Sequence, residues 1–215
     1  MLYDFYLLLQ NPRTRTIALP LWGLWTLATA AGWGLAGFAG LPVGRVMVAE
    51  GSVGVIFSVA FNMGLLGALI GALIGVFQWL FLRRRIPLAG WWILATALGW
   101  GVGLPAALLI NLLAGVGLSA FLYGVVVGGM VGAAQWVLLK RFTTPAGRWV
   151  WASVVAFPVG ISVSGLVEQV GWFAAAILWD RLHWWMAISG GAAGIVVGMW
   201  TGITLLALFW HMKRG

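Results

Sequence analysis

The sequence predicts an all-α polytopic membrane protein, built as six transmembrane helices in three parallel two-helix hairpins with both termini inside. Three observations lead there. The first is composition: 215 residues, 63% hydrophobic and only 7% charged, where a soluble domain carries about 25% charged residues. With 16 Trp, 11 Phe and a mean hydropathy of +1.04, folding in water would leave large apolar patches exposed. This excludes an ordinary soluble protein, a nucleic-acid binder and a disordered tail. The second observation is that the few charges cut the chain into apolar runs of membrane-spanning length. The third is an internal repeat rich in Gly, Gln and Trp.

A span needs about 20 residues, and the runs fall at Thr16–Ala39, Val53–Leu82, Leu88–Leu112, Ser119–Leu139, Arg148–Val170 and Trp184–Trp210. The second run is long enough to tilt or to project past the bilayer. Before the first run, Met1–Leu9 is too short to span and reads as an interfacial segment, with Tyr3 and Tyr6 at headgroup depth. It lacks the basic start and small-residue cleavage site of a secretory signal. Between the fifth and sixth runs, Gly171–Leu182 reads as an outer interfacial or re-entrant helix with Asp180 and Arg181 facing water. The whole chain is one membrane domain. Its repeats cover roughly residues 16–82, 86–139 and 146–210.

Charge sets the orientation. Arg13, Arg15, Arg83, Arg84, Arg85, Lys140, Arg141, Arg148, Lys213 and Arg214 fall on one side of a six-span chain, and only Arg45 and Arg181 on the other. Basic residues favour the cytoplasmic face, so both termini are expected there. The formal charge of +8 is then a membrane feature, facing anionic headgroups. Most tryptophans fit interfacial belts: Trp22, Trp79, Trp91, Trp92, Trp136, Trp149 and Trp210 at the inner boundary, Trp172, Trp179, Trp184 and Trp185 at the outer. Trp33, Trp100 and Trp200 lie deeper and are expected to pack between helices.

The repeat is explicit. Gly71-x3-Gly75-x2-Gln78-Trp79-x2-Leu82 recurs 57 residues later as Gly128-x3-Gly132-x2-Gln135-Trp136-x2-Leu139. Trp92, Ala95 and Thr96 match Trp149, Ala152 and Ser153 at the same displacement, and Ala28–Gly34 matches Ala95–Gly101 at a displacement of 67. Gly194-x3-Gly198-x2-Thr201 is a degenerate third copy. Such units are expected to pack on one another around a pseudo-threefold axis.

Glycines at a spacing of three or four mark one helical face. The stripes are Gly64, Gly67, Gly71 and Gly75 in the second span, Gly124, Gly128 and Gly132 in the fourth, and Gly190, Gly194 and Gly198 in the sixth. Small residues at this spacing let helix backbones approach in lipid. The same flat surfaces also suit a bound lipid, quinone or pigment, or a partner helix. Each stripe ends in a polar side chain, Gln78, Gln135 or Thr201, expected to form an interhelical hydrogen-bonded cluster or a ligand's polar site. Thr29, Thr96 and Ser153 correspond to one another, and their hydroxyls can bond back to the preceding turn. Pro105 and Pro158 interrupt spans, whereas Pro20 and Pro87 are read as first-turn residues. Glu168 reads as an outer carboxylate, solvated in preference to paired with Arg45 or Arg181, and Asn62 as a minor polar contact.

No catalytic constellation emerges, and no catalytic residue or metal site is assigned. Ser162-Val-Ser164-Gly165 has no general base opposite it, and no carboxylate pair or HExxH is present. His183 and His211 sit at the membrane boundaries as weak pigment or metal ligands. With no cysteine, thiolate metal sites and disulfides are excluded.

The repeated motif G-x3-G-x2-Q-W-x2-L, followed by basic residues and W-x2-A-[TS]-x2-G-W, resembles a group of glycine- and tryptophan-rich multispanning bacterial membrane proteins of unknown function, common in filamentous and photosynthetic bacteria. The resemblance covers most of Leu24–Leu139 and weakens after Ala152, where Ala156-Phe157-Pro158 stands in place of Gly-Trp-Gly. It implies a bacterial inner-membrane protein and transfers no catalytic residue. The expected function is therefore a non-catalytic integral membrane subunit or assembly factor of a larger complex, bioenergetic or photosynthetic. The alternative is a channel or carrier for a small neutral or lipid-like solute lined by Gln78, Gln135 and Thr201. Expected partners are membrane lipids, other membrane-protein subunits or further copies of the chain, and no nucleic acid. No resident cofactor is expected.

Overall fold

The computed structural model describes residues 2–10, 12–44, 53–114, 120–175 and 182–212, and every element among them is helical. A short helix α1 (Leu2–Gln10) is followed by α2 (Pro12–Gly44), α3 (Val53–Leu82), α4 (Trp91–Ala114), α5 (Ala120–Leu139), α6 (Gly147–Ala175) and α7 (Leu182–Met212). A single 3-10 turn, Thr144–Ala146, leads into α6. Five helices contain stretches long and apolar enough to cross a membrane: Phe57–Leu82, Trp91–Leu113, Ala120–Leu139, Thr144–Gly171 and Trp184–Trp210. The 33-residue α2 is not among them. Its aliphatic residues are diluted by Thr, Trp and Gly.

Helix ends differ from the apolar runs for identifiable reasons. Pro12 occupies the first position of α2, where a missing N–H costs nothing. Pro20 consequently lies inside that helix and not in its first turn. Leu88 and Pro87 belong to the connection before α4, where Leu88 adopts a left-handed φ of 60°. Backbone bonds from Arg85 and Ile86 to the Leu82 carbonyl close α3, and Phe142 and Thr143 close α5 in the same way on Leu139. The helices run continuously through Pro105 and Pro158. Gly171–Ala175 continues α6 and Leu182 opens α7, so these ends of the outer helix expected over Gly171–Leu182 are not separate from the spans, and residues 176–181 lie outside the described residues. Asp180 and Arg181 lie outside the described residues, as do Arg45 and Glu50.

The helices form a closed ring. Each of α2 to α7 packs against the next in sequence, and α7 returns to pack along α2. Helix α1 rests on the α2–α7 seam, where Phe5 meets Trp22 with ring centroids 6.5 Å apart. Tyr3 and Tyr6 of α1 are exposed.

The glycine stripes occupy seams of this ring. A Cβ on Gly71 would stand 2.5 Å from the Thr96 carbonyl oxygen, and one on Gly67 2.5 Å from that of Trp100. Gly64 faces the Gly101 carbonyl at 3.2 Å, and Gly75 faces the Cα of Ile93 at 2.9 Å. Pro105 provides no N–H for Gly101, so the oxygen over Gly64 is one that the helix leaves free. Gly124 lies on Pro158, while Gly128 and Gly132 lie on Ser153, with its carbonyl 2.6 Å and its Cβ 2.8 Å from the added atoms. Gly190 lies on the Trp33 carbonyl, Gly194 on Ala30 at 2.6 Å and Gly198 on Thr26 at 2.8 Å. The stripes thus line the α3–α4, α5–α6 and α7–α2 seams, while Gly32 against the Ile74 Cα at 2.8 Å and Gly99 against the Val131 Cα at 2.5 Å bring α2–α3 and α4–α5 equally close at one point each. The hairpins read from chain order, α2–α3, α4–α5 and α6–α7, alternate with the striped seams around the ring.

Close packing of this kind has a sharp mutational signature. Gly71→Ala and Gly128→Ala push a methyl into a neighbouring backbone and should each destabilise by about 1–3 kcal/mol. Gly23 and Gly165 face open space, so alanine there should be neutral or stabilise by up to about 1 kcal/mol. Thermal midpoints of the four variants in one detergent test the contrast.

Candidate functional site

Three helices carry the same three-rung face. Trp25, Thr29 and Trp33 on α2 repeat as Trp92, Thr96 and Trp100 on α4, and as Trp149, Ser153 and Phe157 on α6. A spacing of four places each set on one side of its helix, and in the ring all three sides face the axis. The first rung is a triad of indoles. Trp25, Trp92 and Trp149 meet edge-to-face with centroids 5.5–6.2 Å apart and interplanar angles of 70–80°. The third rung is a second triad, Trp33, Trp100 and Phe157, with centroids 5.1–5.8 Å apart. Eight residues separate the two, about 12 Å along a helix. T-shaped aromatic contacts of this kind contribute roughly 0.5–1.5 kcal/mol each beyond their buried area.

Gln78, Gln135 and Thr201 enter between these layers from α3, α5 and α7. They do not bond to one another. Each glutamine instead bridges its two neighbouring helices, and Thr201 joins α7 to α2 alone. The indole N–H of Trp92 donates to Gln78 Oε1 at 2.8 Å, and Gln78 Nε2 donates to Thr29 Oγ1 at 3.3 Å. The arrangement recurs 57 residues on: Trp149 donates to Gln135 Oε1 at 2.8 Å, and Gln135 Nε2 to Thr96 Oγ1 at 2.9 Å. At the third position Trp25 Nε1 donates to Thr201 Oγ1 at 3.0 Å. The Thr201 hydroxyl then donates to the Val197 carbonyl at 2.6 Å. All of these groups are buried.

Thr96 and Ser153 also return their hydroxyl hydrogens to Trp92 and Trp149, one turn back. The sequence supports that backbone bond but gives no hint that Thr29 and Thr96 are acceptors for the amides. Trp92 and Trp149, read as belt residues, are in fact 2% and 1% exposed and form the core of the bundle. The signal available for this was their register: each lies four residues before a hydroxyl and eight before a second aromatic ring. Trp91, by contrast, is exposed.

Between the two aromatic layers lies a small chamber bounded by Gln78, Gln135, Thr201, Ser153, Trp33 and Trp100, among others. The indole nitrogens of Trp33 and Trp100 are buried without a hydrogen-bond partner. On the same chain face as the first triad, cations of the two connections cover aromatic rings. Arg83 lies 5.4 Å from the centre of Trp79, and Lys140 lies 4.7 Å from that of Trp136, again 57 residues apart. Arg85 stacks 4.2 Å above Phe81 and donates to its carbonyl. Burial, and then Arg84 beside it, pull the Arg85 guanidinium below its ordinary value.

The remaining candidates are dispersed. Glu168 on α6 accepts bonds from Ser164 and from Ser189 of α7, both at 3.1 Å. Its proposed partners Arg45 and Arg181 lie outside the described residues. Asn62 bonds only weakly along its own helix, to Ser58 at 3.5 Å. The backbones of His183 and His211 fall at opposite ends of α7, and their side chains lie outside the described residues. Among the described residues, no three His, Cys, Asp or Glu side chains gather as a metal site. Compared with known proteins, the chain matches no family model, no curated protein and no solved structure.

The bridging role of the amides predicts a definite cost for their loss. Gln135→Leu strands the buried Trp149 indole N–H and removes the donor to Thr96. It should destabilise by about 1–3 kcal/mol and change the emission of the indole triad. A variant with unchanged stability and emission would show that the bridge carries no weight.

Proposed function

We propose that this chain is a non-catalytic integral membrane subunit or assembly factor of a larger bacterial membrane complex. The observation that carries this reading is the use made of the interior. Its two glutamine amides tie neighbouring helices together, and its glycines line intramolecular seams. Both are features of a rigid scaffold. What faces outward is aliphatic and aromatic surface, including Phe57, Phe61, Trp151 and Trp184, each more than 60% exposed. That surface suits lipid and neighbouring transmembrane helices.

The reading places six spans in the bilayer, with α2 as the first, in three sequence repeats around the axis. The clustered Arg83–Arg85, Lys140, Arg141 and Arg148 then face the cytoplasm together with both termini. The resemblance to glycine- and tryptophan-rich multispanning bacterial proteins supports an inner-membrane location. A second reading, a channel or carrier for a small neutral solute, draws on the chamber beside Gln78, Gln135 and Thr201. In that case the two aromatic layers act as gates that must part.

Mild-detergent purification from the native membrane, followed by native mass spectrometry, separates the two. The subunit reading expects stoichiometric co-purifying membrane proteins and no solute flux in liposomes. A lone monomer or homo-oligomer that conducts a small neutral solute would replace it with the carrier reading.

A further inference from the structure

The axial chamber is unequal on its three sides, and the inequality points to an occupant. Thr29 and Thr96 each accept an amide N–H, from Gln78 and Gln135. Ser153, their counterpart on α6, donates to the Trp149 carbonyl and accepts nothing from the described residues. The residue that would serve it is Thr201, which is shorter than glutamine by two heavy atoms and has no amide. The space of the missing amide therefore opens into the chamber beside Ser153.

Donors surround that space. Gln78 Nε2 and Gln135 Nε2 each carry two hydrogens and spend one of them on a described residue. Trp33 and Trp100, 7% and 6% exposed, line the chamber with their indole nitrogens unpartnered. The space has room for about one water molecule and no more. A dry apolar void would be empty, but a polar one of this size with three or four hydrogen-bonding groups is a water site.

We propose that the chamber is a binding site for a single water molecule. The water donates to Ser153 Oγ and accepts from two of the four unspent N–H groups around it, standing in for the third amide of the ring. Its place is fixed by the substitution of Thr201 for glutamine. The neutral donor set, with hydroxyl acceptors opposite, suits a molecule that both donates and accepts. The proposal stands independently of the subunit reading, since a scaffold and a carrier could each hold this water.

The test uses the full chain in micelles with 15N-labelled indoles, assigned through Trp33→Phe and Trp100→Phe. The wild-type protein should show nuclear Overhauser contact between bound water and the indole N–H of Trp33 or Trp100. Thr201→Gln supplies both an acceptor for Trp25 and a donor for Ser153. That contact should then be lost without a fall in thermal midpoint. If Thr201→Gln does not fold, Ser153→Ala serves instead: it removes the water's acceptor and should weaken the contact several-fold. Absence of the contact in the wild type, or its full retention in the folded variants, overturns the proposal. An indole shift that follows chloride in a chloride-for-gluconate titration would also overturn it, in favour of an anion.

Discussion

The bundle depends on one constraint: each of the three indoles in its first aromatic layer buries an N–H that must find an acceptor on another helix. Trp25, Trp92 and Trp149 supply most of the ring's bulk at its first layer, and each brings a donor buried away from the surface. Leaving such a donor unpaired costs on the order of 1–3 kcal/mol. The acceptor comes in each case from a different helix: α3 for Trp92, α5 for Trp149 and α7 for Trp25. The aromatic core and the helix order are therefore tied together. Rotating or displacing any one helix breaks a bond at the layer where three rings already interlock.

Glycine makes those bonds reachable. The acceptors sit on the helices that carry the glycine stripes, and each stripe lies against the backbone of the helix that provides the donor. With Gly71 and Gly75 against α4, Gln78 stands one turn further along the same seam, opposite Trp92. The same relation joins Gly128 and Gly132 to Gln135 and Trp149, and Gly194 and Gly198 to Thr201 and Trp25. In lipid, where apolar surface gains little from helix association, close backbone approach and interhelical hydrogen bonds are the main adhesive terms. At these three seams both act on the same pair of helices. The α7–α2 seam joins the two ends of the chain, and this turns a serial array of helices into a ring. Trp22 adds to it by donating to the Met199 carbonyl at 2.9 Å.

Much of the helical order was legible in the sequence, because apolar length and the positions of charges act locally. Val53–Leu82 coincides with α3, and α5 begins within one residue of its expected start. The ends of α2, the start of α4 and the end of α6 were not, since a helix can overrun or fall short of the apolar stretch where hydropathy has no feature. The importance of Gln78, Gln135 and Thr201 followed from their repetition, but their partners did not. A polar residue in each copy suggests a shared cluster, whereas the bonds run sideways to Trp and Thr on adjacent helices. Trp92 was harder to place. An indole beside basic residues reads as interfacial, and only its register with Thr96 and Trp100 marks it as core. The pairing of α7 with α2 spans 176 residues at Trp25 and Thr201, beyond any local pattern.

If α7 closes the ring on α2 through the same kind of bond that operates at the other two seams, Trp25 and Thr201 are energetically coupled. A double-mutant cycle on Trp25→Phe and Thr201→Val, read by thermal or chemical unfolding in one detergent, should then give a coupling energy of about 1 kcal/mol between the two positions, because each substitution removes the same hydrogen bond. Effects that add to within about 0.3–0.5 kcal/mol would contradict it, showing that the two residues act independently and that the ring is not closed at this point.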